Sequence, residues 1–381
     1  MKSNVLIIGG GISGLSIAYN LAIRGVQDIV VVDKSYFCGG DTGRCGAGVR
    51  QQWATKNNCL LAKRSIDFFE KAKNILGYEG NLEFKQEGYL ILASSEQEAE
   101  QFKKNVVLQN ECGIPSRVVS KEEALQIVPH LNPEAFISAT FCPTDGHLNP
   151  FKMSEAYMLA AKRMGVTFHF YEEVVEMKKE GDRITHVITN KAVYEVNQVV
   201  NAAGGYSHEV GLLAGIDLPV YSEKHEILAT EPVAKMQGPM VMSFSHNIYC
   251  QQVPHGAFLM GRSDPDVPHD HDIESSWQFL EAMAKTVTHI LPPLGKHRVV
   301  RQWAGHYNMS PDRQPILGGV SVVSNLYVAC GFSGHGFMFA PITGEIVADI
   351  MCGFTPFMDV SELSSERFKE KQDFIIEKSV V

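Results

Sequence analysis

An unbroken apolar run, Val5-Leu6-Ile7-Ile8, gives way to Gly9-Gly10-Gly11-Ile12-Ser13-Gly14, and apolar residues then recur periodically as far as Gly25. A second run, Ile29-Val30-Val31-Val32, ends on Asp33. Continuous apolar text fits parallel strands buried on both faces, and the periodic stretch between them fits a crossover helix. Gly9, Gly11 and Gly14 stand at the spacing G-x-G-x-x-G, at the turn from strand to helix. At that spacing the first glycine permits the tight turn, the second admits a pyrophosphate, and the third lets helix and strand pack closely. Asp33 follows about twenty residues on, where a carboxylate accepts from ribose hydroxyls. The order of strand, turn, helix, strand and acid predicts a dinucleotide site with its phosphates on the positive helix end. A glycine-rich turn in an ordinary α/β protein is the weaker alternative.

The pattern then changes. The loop 34–53 holds Gly39, Gly40, Gly43, Gly46 and Gly48, and so many absent side chains let backbone lie against a flat ligand. Arg44 and Arg50 in this loop are candidates for binding phosphate or carboxylate, because a guanidinium forks onto either; solvated surface arginines are the alternative. An amphipathic helix is expected over 57–76, a strand over 87–93, and a charged helix over 96–112. Ser120-Lys121-Glu122-Glu123 reads as a capping box opening a short helix, and 135–142 as another strand. A turn at 143–150 leads into a helix to about 165. A meander of strands over 166–176 and 184–199 runs into Asn201-Ala202-Ala203-Gly204-Gly205, a second place where backbone approaches a ligand.

Three strand-like runs follow at 224–230, 240–244 and 249–260. With 86–145 they form one antiparallel sheet that roofs a cavity between domains. A helix over 272–290 stops at Pro292-Pro293. Near the end, a strand at 326–330 opens into Gly331-Phe332-Ser333-Gly334-His335-Gly336-Phe337 and a helix to about 351. This second glycine-rich turn brings another positive helix end, which suits a flavin, since the ring edge becomes negative on reduction.

Composition adjusts this picture only at its margins. A chain of 381 residues with 45% hydrophobic content can supply two cores. The first domain takes 1–85, 146–220 and 296–381, and the second takes 86–145 and 221–295. The net charge of −9 and the lack of a basic run argue against nucleic acid or an anionic membrane surface as partner. Eight cysteines without a C-x-x-C pair or ligand spacing read as reduced thiols of a cytoplasmic protein, with no metal site. The N-terminus enters a strand directly without a signal peptide, and no apolar run reaches the length of a membrane span.

Six motifs together resemble a known family: Gly9–Gly14 with Asp33; Arg44-Cys45-Gly46-Ala47-Gly48-Val49-Arg50-Gln51-Gln52; Pro143-Thr144-Asp145-Gly146; Trp303-Ala304-Gly305; Pro311-Asp312 with Pro315; and Gly331 to Phe337. The chain resembles the flavin amine dehydrogenase and oxidase group of the D-amino-acid oxidase superfamily. Within it the likeness is nearest to β (catalytic) subunits of heterotetrameric dye-linked L-proline dehydrogenases. Sarcosine oxidase β subunits and hydrogen cyanide synthase subunits look similar but more distant. The resemblance implies an α/β protein with a Rossmann-like FAD-binding domain and an inserted antiparallel-sheet α+β substrate domain. It also implies oxidation of an amino acid to its imine.

The same resemblance implies non-covalent FAD held first by Gly9, Gly11, Ile12, Ser13 and Gly14, then by Asp33 and Lys34. Thr42, Arg44, Cys45, Gly46 and Ala47 follow, then Val174, Ala202, Ala203 and Gly204. Trp303, Gly305, Gly331, Ser333, Gly334, His335, Gly336 and Phe337 complete the set. Arg50 stands where monomeric sarcosine oxidase has an arginine for the substrate carboxylate, and His225, Tyr249 and His335 are the other catalytic candidates. For His225 and Tyr249 the alternative is an ordinary place in a sheet.

The chain also departs from the family pattern. That oxidase's second carboxylate partner is a lysine, and Met338 stands in its place, so the second anchor comes from elsewhere. Leu259 replaces the lysine that assists reaction with oxygen, which favours a dehydrogenase handing electrons to a partner subunit. Asn149 replaces the histidine that holds FMN covalently in sarcosine oxidase β subunits, so an FMN at a subunit interface would be non-covalent. The rivals are a non-catalytic FAD electron-transfer subunit, a sarcosine or glycine oxidase-type activity, and a nicotinamide-dependent imine or opine reductase. The amine, whether proline, hydroxyproline, sarcosine, glycine or an opine, stays open.

Overall fold

The computed structural model describes residues 1–264, 266–369 and 375–379; the remainder of the last segment assigned to the first domain lies outside them. The apolar runs at the N-terminus form strands β1 (Lys2–Ile8) and β2 (Ile29–Asp33), joined through helix α1 (Ile12–Ile23). β1 pairs in parallel with β2, Ile7 opposite Val31, and with the strand Val193–Asn201, Ile7 opposite Val200. Flanked on both sides, β1 buries Val5, Leu6 and Ile7 completely, which is what its unbroken apolar run predicts. Thr167–Phe170 extends this sheet beyond β2, and Val323–Cys330 with Ile316–Val320 extend it on the other side. The expected meander is made by Val174–Glu180, Arg183–Thr189 and Val193–Asn201, which pair antiparallel in turn, while Thr167–Phe170 pairs with β2 instead.

The last helix, Gly336–Cys352, packs beside α1. Ser16 Oγ donates to the Pro341 carbonyl near their beginnings, and Arg24 pairs with Asp349 at 2.7 Å near their ends. Two contacts in that order make the helices run in the same direction, so both N-termini reach the same end of the sheet.

Among the described residues the second sheet has eight strands, from the edge strand Val299–Met309 through Tyr221–Thr230 to Arg117–Ser120. It differs from the sequence reading at three points. Val299–Met309, for which no strand was expected, pairs with Tyr221–Thr230 along nearly its whole length, so part of the segment 296–381 joins the second sheet. The run 249–260 is a hairpin, Ile248–Gln252 and Phe258–Ser263, because Pro254-His255-Gly256 turns the chain with Gly256 at φ +98°. The sheet is antiparallel except where Met240–Ser243 runs parallel to Tyr89–Ala93. The helix expected from 272 begins instead at Trp277, where Ser276 caps it by accepting from the Phe279 amide at 3.1 Å. Ser120 caps the short helix as expected, accepting from the Glu123 amide, while the Glu123 carboxylate turns to Arg117 instead of closing the box. Among the described residues no helix is long and apolar enough to cross a membrane.

Candidate active site

Between the two sheets lies a cavity of about 640 Å³. Gly9 has φ +109°, which a side chain disfavours, and a Cβ there would overlap the Ala202 carbonyl. A Cβ on Gly14 would overlap the Gly9 carbonyl, so Gly14 sets the helix against the strand from behind the cavity wall. The first-turn amides of a helix have no partner four residues back. Thr42 Oγ1 takes that of Ile12 at 3.0 Å, which leaves those of Gly11 and Ser13, both cavity-lining, for an anionic ligand. Asp33 holds the turn in shape: its two carboxylate oxygens accept from the amides of Gly10 at 2.7 Å and Ser35 at 2.8 Å. Burial raises its pKa, while both amide bonds oppose that shift.

The second glycine turn reaches the same cavity. Gly334, His335, Gly336 and Phe337 line it together with Gly9, Gly11, Ala202 and Gly204. Both ring nitrogens of His335 are buried and lack a partner among the described residues. Burial first, then the Arg50 charge, holds this imidazole well below its usual pKa, so it is neutral. Two helix N-termini, a glycine cradle and an unpartnered neutral imidazole fit a phosphate-bearing flavin.

Most residues expected to touch the cofactor line the cavity; Gly14, Trp303 and Gly331 do not. Trp303 Nε1 donates to the Arg44 carbonyl at 2.8 Å, and Arg44 Nη1 donates back to the Ala304 carbonyl at 2.9 Å. That reciprocal tie locks loop 41–46 to the second sheet and commits the Arg44 side chain to backbone. Gly331 donates to Asn308 Oδ1 at 2.6 Å and shapes the turn from behind. Lys34 has its ammonium 2.9 Å from the Tyr206 ring centroid, a cation–π contact at the cavity edge.

Arg50 is 3% exposed and lines the cavity. Its Nη1 donates to the Gln52 carbonyl at 2.7 Å and its Nη2 to the Ser379 carbonyl, and its Cζ stands 3.6 Å from the Trp53 ring centroid. Trp53 also meets His335 edge-on at 4.2 Å, so one fully buried indole positions both groups. Asp145, with no exposed surface, accepts from the Gln51 amide at 2.9 Å and from Gln52 Nε2 at 3.0 Å, and fixes the loop that carries Arg50. Burial pushes the Asp145 carboxyl up to about 6. Among the described residues no carboxylate pairs with Arg50. The acids lining the cavity, including Asp33, Asp41, Glu173 and Glu209, gather instead around Lys34.

His225 and Tyr249 also line the cavity from the second sheet, His225 Nε2 lying 3.2 Å from the Tyr249 hydroxyl and Nδ1 3.3 Å from Ser263 Oγ. Burial drives the His225 imidazole down to about 3, so it too is neutral. The sequence reading missed Tyr89, Met240, Met242 and Tyr307, which line the cavity around them. Tyr307 stacks on His225 at 4.1 Å and 6°. The alternation Trp303, Gly305, Tyr307 carried the signal, but only membership of the second sheet makes it meaningful. Met338 lines the cavity as an apolar residue; Leu259 sits with Trp303 in the apolar cluster on that face of the sheet. Asn149 caps a helix by accepting from the amides of Phe151 and Lys152, and His147 does not line the cavity.

A crystal structure of L-proline dehydrogenase from P. horikoshii matches with a TM-score of 0.91 and 36% identity, over 97% of this chain and 98% of that one. The sarcosine oxidase subunit beta of Rhodobacter capsulatus is 26% identical over 97% of this chain and 90% of its own. Rattus norvegicus mitochondrial dimethylglycine dehydrogenase is 26% identical over 96% of this chain, which spans only 45% of that longer protein. The profile of the FAD dependent oxidoreductase (DAO) family matches residues 4–350. With its two glycine turns meeting in one cavity, the chain belongs to the FAD dependent oxidoreductase family.

Proposed function

We propose that the chain oxidises the Cα–N bond of an amino acid, L-proline or a related secondary amine, and passes the electrons to a partner subunit. The observation that carries this reading is Arg50, a buried guanidinium on the cavity wall with no carboxylate partner among the described residues. A buried charge without a counter-ion is costly, and a carboxylate from outside the protein offsets that cost. FAD, when bound, supplies the two-electron acceptor for the hydride leaving Cα.

The chain's own residues hold and prepare the amine. Arg50 takes the carboxylate through a bidentate contact, with the Tyr89 hydroxyl a candidate for the second anchor that Met338 does not provide. Tyr249, Tyr307, Met240 and Met242 form a roof that excludes water. Neutral His225 and His335 and the Arg50 charge disfavour an ammonium group. Together they lower the pKa of the bound amine and leave its lone pair free. Of the cations lining the cavity, Lys34 and Arg44 are engaged elsewhere, Arg50 takes the substrate carboxylate, and Leu259 adds none, so reaction with oxygen is slow and a protein acceptor is favoured. An FMN shared with the partner would be non-covalent, since Asn149 serves as a helix cap.

The test is anaerobic addition of L-proline, sarcosine and glycine to the FAD-loaded protein, following visible flavin absorbance. Bleaching by L-proline, with slow return in air and fast return with a dye acceptor, is expected. If no amino acid bleaches the flavin, the chain is an electron-transfer subunit without a substrate site of its own.

A further inference from the structure

Glu377 is completely buried, yet among the described residues its carboxylate is held by neutral donors alone. Its carboxylate accepts from the Ala54 amide at 3.2 Å, the Thr55 amide at 3.1 Å and hydroxyl at 2.8 Å, Asn58 Nδ2 at 3.1 Å and the Ser379 amide at 2.9 Å. Thr55 is the N-cap of helix α2 (Lys56–Phe69), so the acid also lies on that helix's positive end. Its own amide donates to the Asp312 carbonyl at 3.0 Å, and Gln314 Nε2 donates to the Ile375 carbonyl at 3.1 Å. Residues 375–379 are thereby laid between the 312–314 turn and α2. At the end of this stretch the Ser379 carbonyl accepts from Arg50 Nη2.

A buried carboxylate is tolerated only while all its donors are in place. Glu377 therefore docks the segment in one position, and that position sets where the Ser379 carbonyl meets the guanidinium. Arg50 is held from two sides. Gln52, fixed by Asp145, takes Nη1, and Ser379, fixed by Glu377, takes Nη2.

Building on the carboxylate role given above to Arg50, we propose that 375–379 completes the substrate site. Glu377 is its positioning residue, aiming Arg50 through Ser379. The opposite possibility, that the segment blocks Arg50 from its substrate, has the opposite kinetic sign.

The test compares the FAD-loaded wild type with Glu377→Gln and with a chain lacking 375–381. KM and kcat are measured for L-proline and L-prolinamide with a dye acceptor, alongside hydrogen exchange at the Ala54 and Thr55 amides. Expected in both variants are faster exchange at those amides, a KM for L-proline raised about tenfold or more, and kcat within about twofold. Kinetics with L-prolinamide, which has no carboxylate to aim at, should not change, and FAD content should be kept.

An unchanged or lowered KM for L-proline in the deletion overturns the inference, the lowered value identifying an obstructing segment. Loss of FAD from both variants also overturns it, since the segment would then serve the fold and not the substrate. Failure of the underlying reading looks different: Arg50→Met itself would then leave the L-proline KM unchanged.

Discussion

Replacing Arg50 tests the carboxylate role where its magnitude can be worked from the structure. A guanidinium carries five N–H groups. One from Nη1 and one from Nη2 go to the carbonyls of Gln52 and Ser379, which leaves three for a ligand, enough for a bidentate contact. Each charge-assisted bond contributes about 1.5–3 kcal/mol. Arg50→Met should remove about 3–6 kcal/mol, or about 10² to 10⁴ in kcat/KM for L-proline. Arg50→Lys keeps the charge but not the fork, and should lose about 10- to 10²-fold. The substitution also strips a donor from two buried carbonyls, about 1–3 kcal/mol each if they stay unpaired, so thermal unfolding is measured in parallel. L-prolinamide supplies the control. The wild type should prefer L-proline strongly over the amide, and Arg50→Met should bring the two together. A preference that survives Arg50→Met within about threefold would refute the assignment, whatever happens to absolute rates.

Gly14→Ala should abolish FAD binding, because its Cβ would overlap the Gly9 carbonyl and push α1 off β1; the readout is the flavin-to-protein absorbance ratio of the purified variant. His225 titrates near 3, so it is neutral across the working range, and kcat/KM for L-proline should rise with pH through loss of the substrate's amine proton. His225→Asn should keep that limb at the same pH; displacement of the limb would make His225 the titrating base. Asp145 is raised in the folded state from 3.8 to about 6, so folding binds its proton more tightly. Its contribution to stability is therefore fully present below about pH 3.8 and falls as pH rises through 6. The melting temperature of the wild type relative to Asp145→Asn should decline over that window, and a flat difference would contradict the burial argument.

Local text revealed the cofactor half of the protein because its determinants are themselves local. The strand, turn and helix of Val5 to Ile23 need only neighbours in sequence to declare a buried strand, a glycine turn and a positive helix end. The helix cap at Ser120 and the expectation of a second glycine turn at Gly331–Phe337 held for the same reason. Where the reading slipped, chain-distant pairing decided the outcome. No strand was expected over Val299–Met309, and only its register with Tyr221–Thr230 places it in the second sheet. That assignment is what brings Tyr307 onto His225.

Sequence alone therefore determined the kind of protein: two glycine turns, an acid after the second strand, an arginine in the loop between, and the residues of a dinucleotide-binding α/β fold. Tertiary structure decided which of those groups share one cavity and which only support it. Arg44 and Arg50 look alike in the sequence, yet one is committed to the Gly39 and Ala304 carbonyls while the other keeps N–H groups for a ligand. The difference arises from partners far along the chain, Trp303 for one loop and Ser379 for the other, and contacts across such separations leave no local pattern to read.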